Sequence, residues 1–278
     1  MESDAVRKRV FRTIEKYGLV KNGDKICIAL SGGKDSACAL FLLAKYVEEK
    51  NIECEIMALH LNLGLGESER VEDICKEQAA RVGVKLESVS VRELGIDLRE
   101  IAREKKRAIC SVCGVVKRYL LNRLAREKGC DKLATGHNMD DFLVFFFKNL
   151  LSKNYFWISK FRPKVEGAHE KVVCRIRPLF FVGNAETELF CRENAIPYLQ
   201  SPCPYSRTAV VKVRRRKWYE MLYSCERFQR NFRYNLARSV VEMSGFFERG
   251  EAKEFRECRI CGEPTNREIC AFCRIRLS

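Results

Sequence analysis

Lys25-Ile-Cys-Ile-Ala-Leu30, followed at once by Ser31-Gly32-Gly33-Lys34-Asp35-Ser36, is the stretch that decides the fold. A lysine and then five apolar residues read as a strand buried on both faces, the kind found in parallel sheets. From Ser36 to Lys50 the apolar residues Leu40, Leu43, Ala44 and Val47 fall on one helix face. Between strand and helix, two adjacent glycines let the backbone turn tightly and leave bare N–H groups facing an anion. The helix that follows aims its positive end at the same point. Ser31 and Ser36 add hydroxyl donors, and Lys34 adds charge. The spacing is not the Walker one, which needs four residues between the first Gly and Gly-Lys-Ser/Thr. A lone Gly-Gly pair would fit any capped connection. The whole hexapeptide in this setting points to phosphate binding.

The same alternation continues to about residue 200. A helix with Val6, Val10, Ile14 and Tyr17 inward ends near Gly18; strands are expected at Glu53–Leu61, Val84–Val91, Lys132–Thr135 and Val172–Ile176. Helices are expected at Ser68–Val82, Cys113–Lys128, Met139–Leu151 and Ala185–Asn194. This order predicts an α/β fold, a doubly wound parallel sheet. The chain has 278 residues, 46% of them hydrophobic, which suffices for a packed core. No apolar run approaches the ~18 residues a membrane helix needs, and the N-terminus carries no apolar signal region. Fifteen cysteines in such a chain point to a cytoplasmic protein whose thiols serve a metal or cluster, not a disulfide framework.

The formal net charge is +15, which suggests a nucleic-acid partner. Over half of it falls in residues 207–238, with ten Lys/Arg and two Glu. Lys212, Arg214, Arg215, Arg216 and Lys217 precede Trp218 and Tyr219. Arg227, Arg230 and Arg233 recur every three residues, as on one helix side, with Phe228, Phe232 and Tyr234 between them. Basic groups interleaved with aromatics fit phosphate contact and base stacking on RNA; the plainer reading is a solvated charged face over core aromatics. Arg103, Lys105, Lys106 and Arg107 are placed to guide a strand toward nearby Cys110.

Cys110-Ser-Val-Cys113 fits a metal site, a redox pair or two core thiols. Cys203 sits in Ser201-Pro-Cys-Pro-Tyr205, a loop stiffened by its prolines. These three thiolates make an incomplete set for a four-cysteine cluster, leaving one iron open. Cys258-x2-Cys261-x8-Cys270-x2-Cys273 has the spacing of a closed tetrahedral zinc site. A tail this short cannot bury a core of its own, so the metal would supply its folding energy. The other eight cysteines (Cys27, Cys38, Cys54, Cys75, Cys130, Cys174, Cys191 and Cys225) read as core or incidental thiols.

Ser31–Ser36 after the first strand resembles the PP-loop of the N-type ATP pyrophosphatases. Three more features carry the resemblance further: Ala134-Thr-Gly-His-Asn-Met-Asp-Asp141, Arg177-Pro-Leu179, and Cys110-x-x-Cys113 followed by Lys117. With them the chain resembles the tRNA 2-thiolation enzymes of the TtcA/TtuA type. The likeness runs from about Lys21 to Ser206 and resumes in the C-terminal ribbon, which the TtuA-like group carries. It implies an adenine nucleotide alpha-hydrolase-like fold divided into an N-terminal helix (1–20), a catalytic domain (21–205), a basic helical RNA-binding segment (206–256) and a zinc ribbon (257–278). ATP with Mg²⁺ would be held by Ala29, Ser31, Gly32, Gly33, Asp35, Ser36, Leu59, His60, Lys117, Gly136 and Asp141. Backbone atoms after the second strand, at His60, would approach the adenine, and His137 is a further candidate for the nucleotide pocket. Cys110, Cys113 and Cys203 would carry a 4Fe-4S cluster, and Cys258, Cys261, Cys270 and Cys273 a Zn²⁺. Lys117 and Asp141 would be catalytic, the first at the α-phosphate or leaving AMP, the second at Mg²⁺ or a proton.

The implied reaction adenylates O2 of a base in tRNA; sulfur then attacks C2 and AMP departs. The implied partners are tRNA, a ubiquitin-like thiocarboxylate carrier or sulfide as sulfur donor, and a second copy of the chain, with no membrane. The chain departs from the TtuA-like pattern in having no cysteine before Lys25, where a further zinc module is usual. It also has Phe142-Leu-Val after the paired aspartates in place of an acidic-alanine continuation. The wobble uridine and the T-loop ribothymidine are both open as targets, and the ribbon argues against cytidine. Two competing readings are an adenylating ligase or amidotransferase that uses no sulfur, and a zinc-ribbon RNA-binding protein with a vestigial ATP site.

Overall fold

The computed structural model describes residues 2–200, 203, 205, 209–249 and 255–277, apart from the side chains of 209–215 and 248–249. In chain order the elements are α1 (Glu2–Tyr17), β1 (Lys25–Leu30), α2 (Lys34–Glu49), β2 (Glu55–Asn62), α3 (Ser68–Arg81), β3 (Lys85–Ser90), α4 (Leu98–Glu104), α5 (Ile109–Glu127), β4 (Lys132–Ala134), α6 (Met139–Leu151) and α7 (Tyr155–Ile158). They continue with β5 (Lys164–Val165), β6 (Cys174–Ile176), α8 (Asn184–Glu193), α9 (Ala209–Phe228), α10 (Phe232–Ser244), β7 (Arg256–Glu257), β8 (Pro264–Thr265) and α11 (Ala271–Arg276).

Six strands form one sheet in the order β3-β2-β1-β4-β6-β5, parallel except for β5 at the edge. Alternate side chains of a strand face opposite ways, and β1 uses both faces. Ile26, Ile28 and Leu30 pack with Val10 and Ile14 of α1, Leu40 and Leu43 of α2, and Cys191 of α8. Cys27 faces the other way, among Met57, Leu59, Leu133 and Ala125 of α5. Burial on both faces explains why the strand reads as a continuous apolar run.

Two further clusters extend this body. Phe142, Leu143 and Phe146 of α6 pack with Leu222 of α9 and Ala237 and Val240 of α10. Val112, Val116 and Leu120 of α5 pack with Cys258, Phe272, Cys273 and Ile275. The ribbon therefore shares a core with α5, contrary to the expectation of a tail held by metal alone.

Other departures are specific. Helix α5 begins at Ile109, not near Cys113, so Cys110 and Cys113 both lie within its first turns. His60 lies inside β2 and not after it. Arg227 belongs to α9 and Arg233 to α10, with Arg230 in the turn between, so they do not share one helix side. The antiparallel β5, α4 and the short α7 were not foreseen. Asp97 caps α4 by accepting from the backbone N–H of Arg99 and Glu100, a signal readable in Asp97-Leu-Arg-Glu100. The residues beside Cys203 and the side chains of Lys212, Arg214 and Arg215 lie outside what is described. No described helix is long and apolar enough to cross a membrane.

Candidate functional site

In an open parallel sheet the crevice lies where strand order reverses, at the C-terminal strand ends. Here that point is between β1 and β4, and it holds a cavity of about 350 Å³. Of the residues expected around a nucleotide, Ala29, Ser31, Asp35, Ser36, His60, Lys117, Gly136 and Asp141 line it; His137 and Cys203 do too. Gly32 and Gly33 shape the loop without lining the cavity. Leu59 does not line it: its side chain is 1% exposed and packs with Leu133 and Met57 on the α5 side of the sheet. Leu61, Leu63, Leu65 and Val71 supply an apolar wall that sequence reasoning missed.

Gly32 adopts φ +71°, and a Cβ there would lie 3.0 Å from Val71 Cγ1, so the turn requires glycine. Gly33 caps α2 in an extended conformation with no side-chain cap. The first-turn N–H groups are thus left for a ligand. Ser36 Oγ accepts from the Ser31 N–H at 3.2 Å and lies 3.0 Å from Ser31 Oγ. Lys34 corrects its expected role. Its ammonium turns to α8, bonding Asp35 (2.6 Å), Thr187 (2.8 Å) and Asn184 (3.1 Å). The cation in the cavity is instead Lys117, which no described residue pairs.

Gly136 closes the opposite side. A Cβ at this position would stand 2.5 Å from Ser36 N and 2.7 Å from the Asp35 carbonyl carbon, so the β4 turn lies directly on the loop backbone. Asn138 then caps α6 by accepting from Asp141 N–H at 3.1 Å. The paired aspartates have different tasks. Asp141 lines the cavity and accepts a 2.6 Å hydrogen bond from the Tyr219 hydroxyl. Asp140 is 0% exposed and accepts from Arg233 (2.9 and 3.1 Å), Asn184 N–H (2.8 Å) and the Tyr223 hydroxyl (3.2 Å). Arg233 and Tyr219, expected to face RNA, are instead engaged by α6. Trp218 stacks on Phe147, whereas Phe228 is 92% exposed. Sequence periodicity carries no signal for the placement of α9 over Asp141, which is a tertiary contact.

His60 is buried, with Nδ1 donating to the Leu30 carbonyl at 3.1 Å and Nε2 without a partner. Burial lowers its proton affinity below the ordinary value of 6.5. The ring is held within the sheet, and burial disfavours its charged form.

Cys113 has Cys110 and Cys203 near enough that their charges oppose its ionisation. Burial raises its pKa first, Lys117 opposes the rise, and Cys203 and Cys110 add to it. Among the described residues only Cys258, Cys261, Cys270 and Cys273 form a group with sulfurs within 4.8 Å of one another, the spacing for a single ion. Cys110, Cys113 and Cys203 are not within that spacing. Among the described residues no disulfide is formed.

The ribbon's four sulfurs sit on the β7–β8 turn and the start of α11, with Cys270 N–H donating to Cys258 Sγ at 3.2 Å. Gly262 takes φ +68° in the first knuckle. Phe272 lies flat on Tyr119 of α5, and Glu263 pairs with Arg126 of the same helix.

A phosphate-shaped loop at the switch point, pressed by a glycine from the next strand, is the decisive pattern, and residues 3–217 match the PP-loop domain family. The chain belongs to the PP-loop domain family. Within it, the chain is 35% identical over 270 residues to the tRNA-5-methyluridine(54) 2-sulfurtransferase of Pyrococcus horikoshii, covering 96% of this chain and 83% of that one. It is 31% identical over 227 residues to the tRNA-cytidine(32) 2-sulfurtransferase of Citrifermentans bemidjiense, covering 80% and 84%. Among solved structures, the U34-tRNA thiolase NcsA of Methanococcus maripaludis, with its [4Fe-4S] cluster, superposes with a TM-score of 0.81 at 29% identity, covering 98% and 86% of the two chains. The expected PP-loop fold and the kinship with tRNA 2-thiolation enzymes are thus borne out.

Proposed function

We propose that this PP-loop protein is an ATP-dependent tRNA 2-sulfurtransferase acting in the cytoplasm. The observation that carries the reading is the meeting of Ser31, Ser36, Lys117, Asp141 and Cys203 around one cavity. It joins a phosphate loop, a free cation, a carboxylate and a thiol at a single point. Relatives at 31–35% identity named as tRNA sulfurtransferases support it.

The triphosphate lies on the Ser31–Ser36 turn, where the uncapped first turn of α2 receives negative charge. Lys117 neutralises charge developing at the α-phosphate as pyrophosphate leaves and the base oxygen takes AMP. Asp141, fixed by Tyr219, holds Mg²⁺ together with Asp35 or takes the proton of the activated base. Cys110, Cys113 and Cys203 hold a 4Fe-4S cluster, which when bound supplies an iron lacking a protein thiolate and able to carry sulfide. The ribbon cysteines hold zinc and brace α5.

On this reading residues 21–205 are the catalytic part, 206–256 contact RNA and 257–278 form the ribbon. Sulfur arrives from a thiocarboxylate carrier or as sulfide, and a homodimer is inferred from the resemblance alone. The test is anaerobic reconstitution with ATP, Mg²⁺, sulfide and unmodified tRNA, followed by mass spectrometry of the nucleosides. A 2-thio-pyrimidine that disappears in Lys117→Ala is expected, and its tRNA position names the target. Cluster-loaded protein that yields AMP but no thionucleoside would overturn the reading.

A further inference from the structure

A second cavity, of about 340 Å³, lies along α5 between the β5–β6 edge and the ribbon. It adjoins the first. Arg177 lines it and sits 4.8 Å from the Phe142 ring centroid, and that ring is 5.7 Å from His137 of the nucleotide cavity. Arg118 lines it as well, next to Gly114 on the cysteine-bearing end of α5.

Its charge is unbalanced. Arg175 has a buried Nε with no hydrogen-bond partner, and Arg118, exposed on α5, adds a second positive charge to the lining. The carboxylates in the lining are occupied, Glu263 by Arg126 and Glu166 by Lys164. Desolvation pushes against the charge of Arg118, Arg175 and Arg177 alike, and Arg175 is opposed further by Arg118 and Arg177 by Arg175. A guanidinium whose Nε is buried without a partner marks a site prepared for an anion. The rest of the wall is flat and aromatic. The Tyr119–Phe272 stack forms one part, and Phe156 and Trp157, 38% and 53% exposed, form another. An anion-binding end and a stacking end in one cavity match a nucleotide.

We propose that this cavity is a second nucleotide subsite for the RNA substrate. It seats an unstacked neighbour of the reacting nucleotide, with its phosphodiester on Arg118 and Arg175 and its base against Trp157 or Phe156. The inference rests on the reading of tRNA as substrate.

The experiment titrates the full chain with fluorescently labelled tRNA transcript at several salt concentrations, with ATP binding measured in parallel. Trp157→Ala weakens tRNA binding by about tenfold or more, through lost stacking, with the salt slope unchanged; Trp157→Phe restores most of it. Arg118→Gln and Arg175→Gln each weaken binding and make the slope of log K against log salt shallower by about one. Unaltered ATP affinity identifies a folded variant. Folded variants that thiolate and bind tRNA as the wild type does overturn the subsite alone. Wild-type protein that yields no thionucleoside, while these variants still weaken tRNA binding, sinks the thiolation reading and leaves the subsite standing. Normal tRNA binding with loss of affinity for a peptide ending in a free carboxylate would assign the cavity to a protein partner and overturn the proposal.

Discussion

The ring of Tyr119 on α5 and the ring of Phe272 in the ribbon lie parallel, with centroids 3.7 Å apart and planes within 6°. The helix that carries Cys110, Cys113 and Lys117 therefore rests on the C-terminal ribbon. Truncating a buried aromatic costs about 3–5 kcal/mol, so Phe272→Ala is expected to lower the thermal midpoint by several degrees. Hydrogen exchange should quicken in residues 109–117, far along the chain from the substitution. Stripping zinc with a chelator should do the same. Unchanged exchange in that segment would show that the ribbon does not brace it.

Gly136 offers a sharper test of the nucleotide cavity. A methyl group there must displace the backbone of Asp35 or Ser36, which reshapes the turn that meets the phosphates. Gly136→Ala should weaken ATP binding by at least tenfold in calorimetry while leaving the zinc content unchanged.

The adjacent aspartates should separate stability from activity. Asp140→Ala takes from Arg233 its buried carboxylate, leaving it Glu226 alone, and takes from Asn184 N–H its acceptor, a loss of about 1–3 kcal/mol, read in urea unfolding. Asp141→Asn lies on the cavity wall and should shift the same midpoint little, yet reduce thiolation by orders of magnitude.

His60 gives a pH signature. Burial depresses its folded pKa below 6.5, so in the window beneath 6.5 the unfolded chain binds the proton that the folded chain refuses. Its contribution to stability is present above that value and declines as pH falls through the folded pKa. His60→Asn should flatten the fall in denaturation midpoint as pH drops below 6.5. Equal slopes for the two proteins would show that His60 ionises freely.

The two cysteine groups should be separable by metal. Cys203→Ser is expected to lose the visible iron–sulfur absorbance of anaerobically purified protein and keep one zinc. Cys261→Ser should lose the zinc.

The loop and its neighbours were readable because local rules govern them. A strand buried on both faces is apolar throughout, Gly32 is required by its φ, and Asn138 before Met139 is a helix cap. Spacing also located the ribbon cysteines. Lys34 misled, because a lysine in a phosphate loop carries no mark of Asn184 and Thr187 waiting on α8, 150 and 153 positions away. Arg233 misled for the same reason, since its period of three ignored the turn at Asn231, whose φ is +61°. The cavity lined by Arg118 and Arg175 had no linear trace. Its walls come from α5, α7, β6 and the ribbon, which only tertiary packing assembles.

The contact between α5 and the ribbon also fixes an order of events during synthesis. Arg126 and Glu263 are 137 positions apart, so the ribosome completes α5 long before the ribbon emerges to cover it. Domains fold as they leave the ribosome, and distant contacts form last. The cysteine-bearing helix therefore reaches its final packing only after the ribbon has been made. Until then α5 stands without the Phe272 ring and the Glu263 carboxylate that hold its outer face.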